Sequence, residues 1–124
     1  MYRKRVRYKD YRGNERSEVF DFNLSDSEIM ELEAEYEGSI TEMIAKLSKK
    51  QQHSEVIKSM KRIVLMSYGV ISEDGRRFIK NDEIREAFYQ TPAYTEIFTE
   101  LATNDAAAIK FFDRIISNDI FADE

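Results

Sequence analysis

His53 is the only histidine in this 124-residue chain, and it stands in KKQQHSE beside Ser54 and Glu55. A histidine works as a general base when a nucleophile and an orienting carboxylate converge on its ring, and three consecutive residues do not converge. The polar run around it reads as a solvated connection between two helices. Asp74-Gly75-Arg76-Arg77 sets two guanidiniums beside a glycine, but the long Gly-rich spacing and the Lys of a phosphate-binding loop are missing, so a turn with exposed arginines is the better account. Glu31, Glu33, Glu35 and Glu37 alternate, and Asp82, Glu83 and Glu86 follow later. On a helix such carboxylates point to several sides and form a charged face, not a metal shell. With no cysteine in the chain, thiolate zinc sites, disulfides and cysteine nucleophiles are excluded. The residues point to no catalytic, cofactor-binding or metal-binding set.

Charge and apolar surface remain. Residues 1–12 carry Arg3, Lys4, Arg5, Arg7, Lys9 and Arg12 against Asp10 alone, although the whole chain has a formal net charge of −5. A basic head can bind phosphate by counterion release. The alternation of Arg3, Arg5, Arg7 and Lys9 fits the solvent face of an edge strand better, and the acidic remainder repels nucleic acid. Met30, Met43, Met60 and Met66 are adaptable groups that fill a core or accept varied apolar partners. The 42% hydrophobic content, with eight Phe and seven Tyr, suffices for a packed core, and 35% charged residues give it a solvated surface. The apolar run Ile63 to Met66 is too short to span a membrane, and no apolar leader follows the basic start. These features lead us to expect one domain over residues 1–124, acting in the cytoplasm.

The elements follow from periodicity. Val6 and Tyr8 alternate with basic residues, and Phe20, Phe22 and Leu24 with polar ones, so residues 1–24 form a β-hairpin closed by Arg12-Gly13-Asn14-Glu15. Ser25 and Glu28 make a capping box for a helix whose inner face is Ile29, Leu32 and Tyr36, with Gly38 as its stop. Ile40, Met43, Ile44 and Leu47 predict a second amphipathic helix, with cationic Lys46, Lys49 and Lys50 near its carboxy-terminal end. The strongest helical period runs from Ser54 to Tyr68, with Gly69 as its C-cap. Val70-Ile71 and Phe78-Ile79 flank the turn Glu73-Asp74-Gly75 as a small hairpin or extended loop. Asn81 caps a helix carrying Ile84, Ala87 and Phe88. Thr91-Pro92 opens one carrying Tyr94, Ile97, Phe98 and Leu101. Thr103, Asn104 or Asp105 opens the last, with Ala108, Phe111, Phe112, Ile115 and Ile116 inward. The fold class is α+β and mostly α-helical, with five or six short helices in a body over 25–116 and a flexible tail over 117–124.

The string SYGVISEDGRRFIKNDEIREAFYQTPAYTEIFTELATNDAAAIKFF, preceded by DFNLSDSEIMELE and ITEMI, resembles a family of small tail assembly chaperones of tailed bacteriophages infecting Gram-positive bacteria. The resemblance covers roughly residues 8 to 116, and SEDGRRFIK, FYQTPAYTEIF and ELATNDAAA carry most of it. The chain departs from the family at Asp113 to Asn118, where a Gly and a Pro are expected around the two isoleucines, which leaves the last helix boundary open. The resemblance implies a non-enzymatic protein of the host bacterial cytoplasm that binds the tape-measure protein, keeps it from aggregating and helps tail-tube subunits polymerise around it. Homo-oligomers are compatible with that role. It brings no site residues. The positions expected to meet a partner are therefore physical choices: Tyr94, Phe98, Phe111 and Phe112 on the terminal helices, with core packing as the competing role, and Arg76 and Arg77 as polar contacts. A structural virion protein, such as a head-tail connector or tail-completion component, is the alternative. A nucleic-acid-binding regulator stands third.

Overall fold

The computed structural model describes residues 1–36 and 54–116. The second amphipathic helix expected around Ile40 to Leu47, Gly38, Met43, His53 and the tail 117–124 lie outside them. Strands β1 (Tyr2–Lys9) and β2 (Glu15–Phe22) form an antiparallel hairpin with Tyr2 opposite Phe22 and Lys9 opposite Glu15. Its turn is set by Asp10, whose Oδ1 accepts the amides of Arg12 and Asn14, and by Gly13 at φ 83°. Helix α1 (Asp26–Tyr36) follows through the expected box: Ser25 N donates to Glu28 Oε1 at 2.9 Å and Glu28 N donates to Ser25 Oγ at 3.3 Å.

Helix α2 (Ser54–Ser67) buries Met60, Ile63, Val64 and Ser67, the stripe its periodicity demands. It does not end on a C-cap glycine. The chain passes directly into strand β3 (Tyr68–Ile71), and Gly69 is a strand residue opposite Asp21 of β2. Here glycine serves close approach: a Cβ at this position would lie 2.8 Å from Phe78 Cε2 and 3.0 Å from the Ile79 carbonyl oxygen. Strand β4 (Phe78–Ile79) pairs with β3 across a turn in which Asp74 Oδ1 accepts the Ser72 hydroxyl and the Arg76 amide, with Gly75 at φ 74°. The small hairpin is thus the second half of one four-stranded antiparallel sheet, ordered β1-β2-β3-β4.

Three helices complete the described residues, making five in all and an α+β, mostly helical fold. Helix α3 (Asp82–Tyr89) is capped by Asn81 Oδ1 on the Ile84 amide at 2.8 Å. Helix α4 (Pro92–Thr103) is capped by Thr91 with Pro92 in its first turn, and α5 (Asp105–Ile115) by Asn104 Oδ1 on the Ala107 amide at 3.0 Å. Helices α4 and α5 pack on β1 and α3 packs on β3, with Phe88 of α3 and Phe111 of α5 both against the Phe22 ring of β2. Between the layers lies an aromatic core. Phe22 is fully buried, with ring centroids 5.3 Å from Phe111, 5.7 Å from Tyr68, 5.9 Å from Phe88 and 6.4 Å from Tyr2.

One polar tie locks the sheet to α1. Lys80 Nζ, nearly enclosed, donates to the Asn23 carbonyl at 2.6 Å and to both Glu28 oxygens at 2.8 and 2.9 Å. Burial holds the Lys80 ammonium below its usual 10.5, with the Glu28 carboxylate opposing that shift. Burial raises the Glu28 carboxyl, but the bonds from Lys80 and Ser25 outweigh it and leave it below the usual 4.5.

Three outcomes are expected. Phe22→Ala should cost about 3–5 kcal/mol in urea unfolding, because it empties the centre of the aromatic core. Gly69→Ala should cost about 1–3 kcal/mol, since β4 backbone blocks the new methyl group. Because the folded pKa of Glu28 lies below its unfolded value, its stabilisation is complete above about pH 4.5 and is lost as pH falls through the folded value. Glu28→Gln should flatten the acid limb of a stability-versus-pH curve, and an unchanged limb would show that the tie contributes nothing.

Candidate partner-binding surface

The pleat sorts the sheet residues into two faces. Tyr2, Val6, Phe20 and Phe22 point toward the helices and are buried. The opposite face carries Arg3, Arg5, Arg7 and Lys9 of β1, all exposed, and Val19 and Asp21 of β2. Val19 lies opposite Arg5, and Asp21 lies opposite Gly69. Continuing that register by two residues sets Val19 across from Ile71, which pairs with Phe78. On that extended register the outer face carries a transverse row, Arg5-Val19-Ile71-Phe78, in which Arg5-Val19 and Ile71-Phe78 are directly paired. Val19 and Ile71 are 40% and 37% exposed, whereas Phe78 is half-buried with its ring over Gly69.

Cations surround it. Arg3 pairs with Asp21 at 2.7 Å, but Arg5 donates only to the Ser17 hydroxyl at 3.2 Å, and among the described residues Arg5 and Arg7 form no ion pair. Antiparallel order brings the β1-β2 turn and the β3-β4 turn to the same end of the sheet. Arg76 and Arg77, exposed on the second turn, thus share an end with Arg7 and Lys9. The strand's inner face is tied down differently: Lys4 Nζ lies 3.1 Å from Glu100 of α4, and the Tyr8 hydroxyl donates to Glu18, which pushes it up to about 12.

The aromatic residues expected to meet a partner divide. Phe111 and Phe112 are fully buried on α5, and contact with them requires that helix to leave the core. Tyr94 is buried against Phe88 and Tyr89, and burial holds its hydroxyl up at about 12, so it stays neutral. Phe98 stacks on Tyr94 at 5.7 Å and keeps part of its ring in solvent. Arg76 and Arg77 reach solvent freely. Met60 and Met66 are core residues, whereas Met30 stands exposed on α1. The outer-face row is not among the positions that periodicity singles out. Its only local sign is Val19, an apolar residue that breaks the polar side of β2.

The surface relief formed by the described residues includes three depressions. Shallow depressions of about 200 Å³ between β1 and α4, 410 Å³ at the β3-β4 turn and 310 Å³ between α2 and α3 are lined chiefly by charged side chains. None brings a nucleophile to a general base. Among the described residues no group of His, Asp and Glu is placed to hold a metal ion, and no helix is long and apolar enough to cross a membrane. Among the described residues the outer sheet face combines exposed apolar Val19 and Ile71 with exposed cations, a character suited to contact with another protein.

No curated protein and no solved structure matches the chain. A family model described as phage tail assembly chaperone matches residues 1–124, its full length, and that family is not a catalytic one. The chain therefore belongs to the phage tail assembly chaperone family.

Proposed function

We propose that the protein binds the tape-measure protein of its phage in the host cytoplasm and shields it until tail-tube subunits enclose it. The observation that carries this reading is the match of the whole chain to the tail assembly chaperone family. A tape-measure chain is long and largely helical, and its apolar helical faces aggregate unless something covers them. A partner suited to that task needs accessible apolar side chains on a rigid support and a surface that resists self-association. Val19 and Ile71 on the sheet supply the first, and the formal net charge of −5 supports the second. Shielding is reversible and involves no covalent step, so tube subunits displace the chaperone by burying more of the same apolar surface.

Co-expression with the tape-measure protein of the same phage tests the reading. The client should move from the pellet to the supernatant and elute with the chaperone on size exclusion. A client that stays insoluble, with no complex, would sink the proposal. Purified virions should lack the chain, whereas stoichiometric amounts in virions would favour a structural tail component.

A further inference from the structure

We infer that the outer face of the sheet is the client-docking surface and that its occupant is an amphipathic helix with an acidic flank. This rests on the chaperone reading for its biological setting, but the physical case stands on the face itself. Three apolar side chains fall on this face, Ile71 and Phe78 directly opposite each other on β3 and β4, and Val19 on β2 two residues beyond the last β2-β3 pair, where the extended register sets it across from Ile71. Neighbouring strands are roughly 4.8 Å apart, so the row is about 10 Å wide, the diameter of one helix with its side chains. A helix laid along the strands covers the whole row with one apolar stripe.

Charge selects the occupant. Helix residues on the β1 side of that stripe face Arg5 and Arg7, which are exposed and form no ion pair among the described residues, and then Lys9. Acidic residues there gain opposite charge, whereas basic ones meet repulsion. The same charges disfavour a second copy stacked with β1 over β1, which would bring the cations of the two strands together. An extended strand added at the free edge of β1 would meet the same arginines but leave the apolar row uncovered. Nucleic acid would use the cations alone and have no use for Val19 and Ile71.

The probes are synthetic peptides of about 21 residues, long enough to span the sheet as a helix. One carries an apolar stripe flanked by Glu, the second the same stripe flanked by Lys, and the third is an extended acidic peptide with alternating apolar residues. Each is titrated into the isotopically labelled full chain and followed by amide chemical shifts. The Glu-flanked helix should bind tightest and perturb Val19, Ile71, Phe78 and Arg5, leaving the exposed outer side of α5 around Ile109 and Lys110 unchanged. Val19→Asp should weaken it roughly tenfold, as expected for losing one buried apolar contact. Arg5→Glu with Arg7→Glu should reverse the preference toward the Lys-flanked peptide, with unchanged circular dichroism showing that the variants fold.

Absence of binding, equal binding of both helices, or shifts confined to the α4 and α5 surfaces would overturn the inference. So would preference for the extended peptide, or a DNA duplex that displaces the Glu-flanked helix. Since these probes do not include the tape-measure protein, failure here leaves co-expression as a separate test of the chaperone reading.

Discussion

Everything in this fold is arranged around the burial of Phe22. Its ring is met by Tyr2 from β1, Tyr68 from β3, Phe88 from α3 and Phe111 from α5, so one side chain fastens both hairpins and two of the helices. Aromatic rings supply large buried areas with few rotatable bonds, so a short chain gains much apolar contact at low entropic cost. The arrangement also fixes register. A slip of one residue in β2 would turn Phe20 and Phe22 into solvent and bring Val19 and Asp21 inside.

That constraint commits most of the large apolar residues of α4 and α5 to the core, while Met30, Tyr89 and Ile109 stay exposed singly on three different helices. Phe111 and Phe112 on α5, and Ile97 and Leu101 on α4, are committed to the core, and Tyr94 is held by Phe88 and Tyr89. The proposed docking surface lies instead on the outer side of the sheet, where Val19 and Ile71 stay exposed. The rigidity that serves the core also serves that surface: the outer residues are carried on strands whose inner residues are locked, so their spacing does not drift. Lys80 adds to this by holding the exit of β2 and the start of α1 through three hydrogen bonds, close to where β4 leads into α3.

Local chemistry is legible in the sequence wherever its partners lie within a few residues. The Ser25-Glu28 box, the Asn81, Thr91 and Asn104 caps, and the glycine turns at Gly13 and Gly75 all form as their spacing requires. The apolar stripes of α2, α4 and α5 likewise match their periods, because a helix can bury only one side. Gly69 misleads for the same reason that the others inform. Placed after a helical run, a glycine satisfies the local rule for a C-cap, but its true neighbours, Phe78 and Ile79, come from the next strand.

The sequence by itself determined the types of the described elements, most of their caps, the basic edge strand and the family, since each depends on near neighbours or on the order of short strings along the chain. Only the tertiary structure decided that the second hairpin joins the first as one sheet, that Lys80 reaches back to Glu28, and that Ile71 and Phe78 pair on adjoining strands. Those pairings join residues far apart in the chain, whose meeting is fixed by burial of the aromatic core and the pleat of the paired strands, quantities no short stretch of sequence contains.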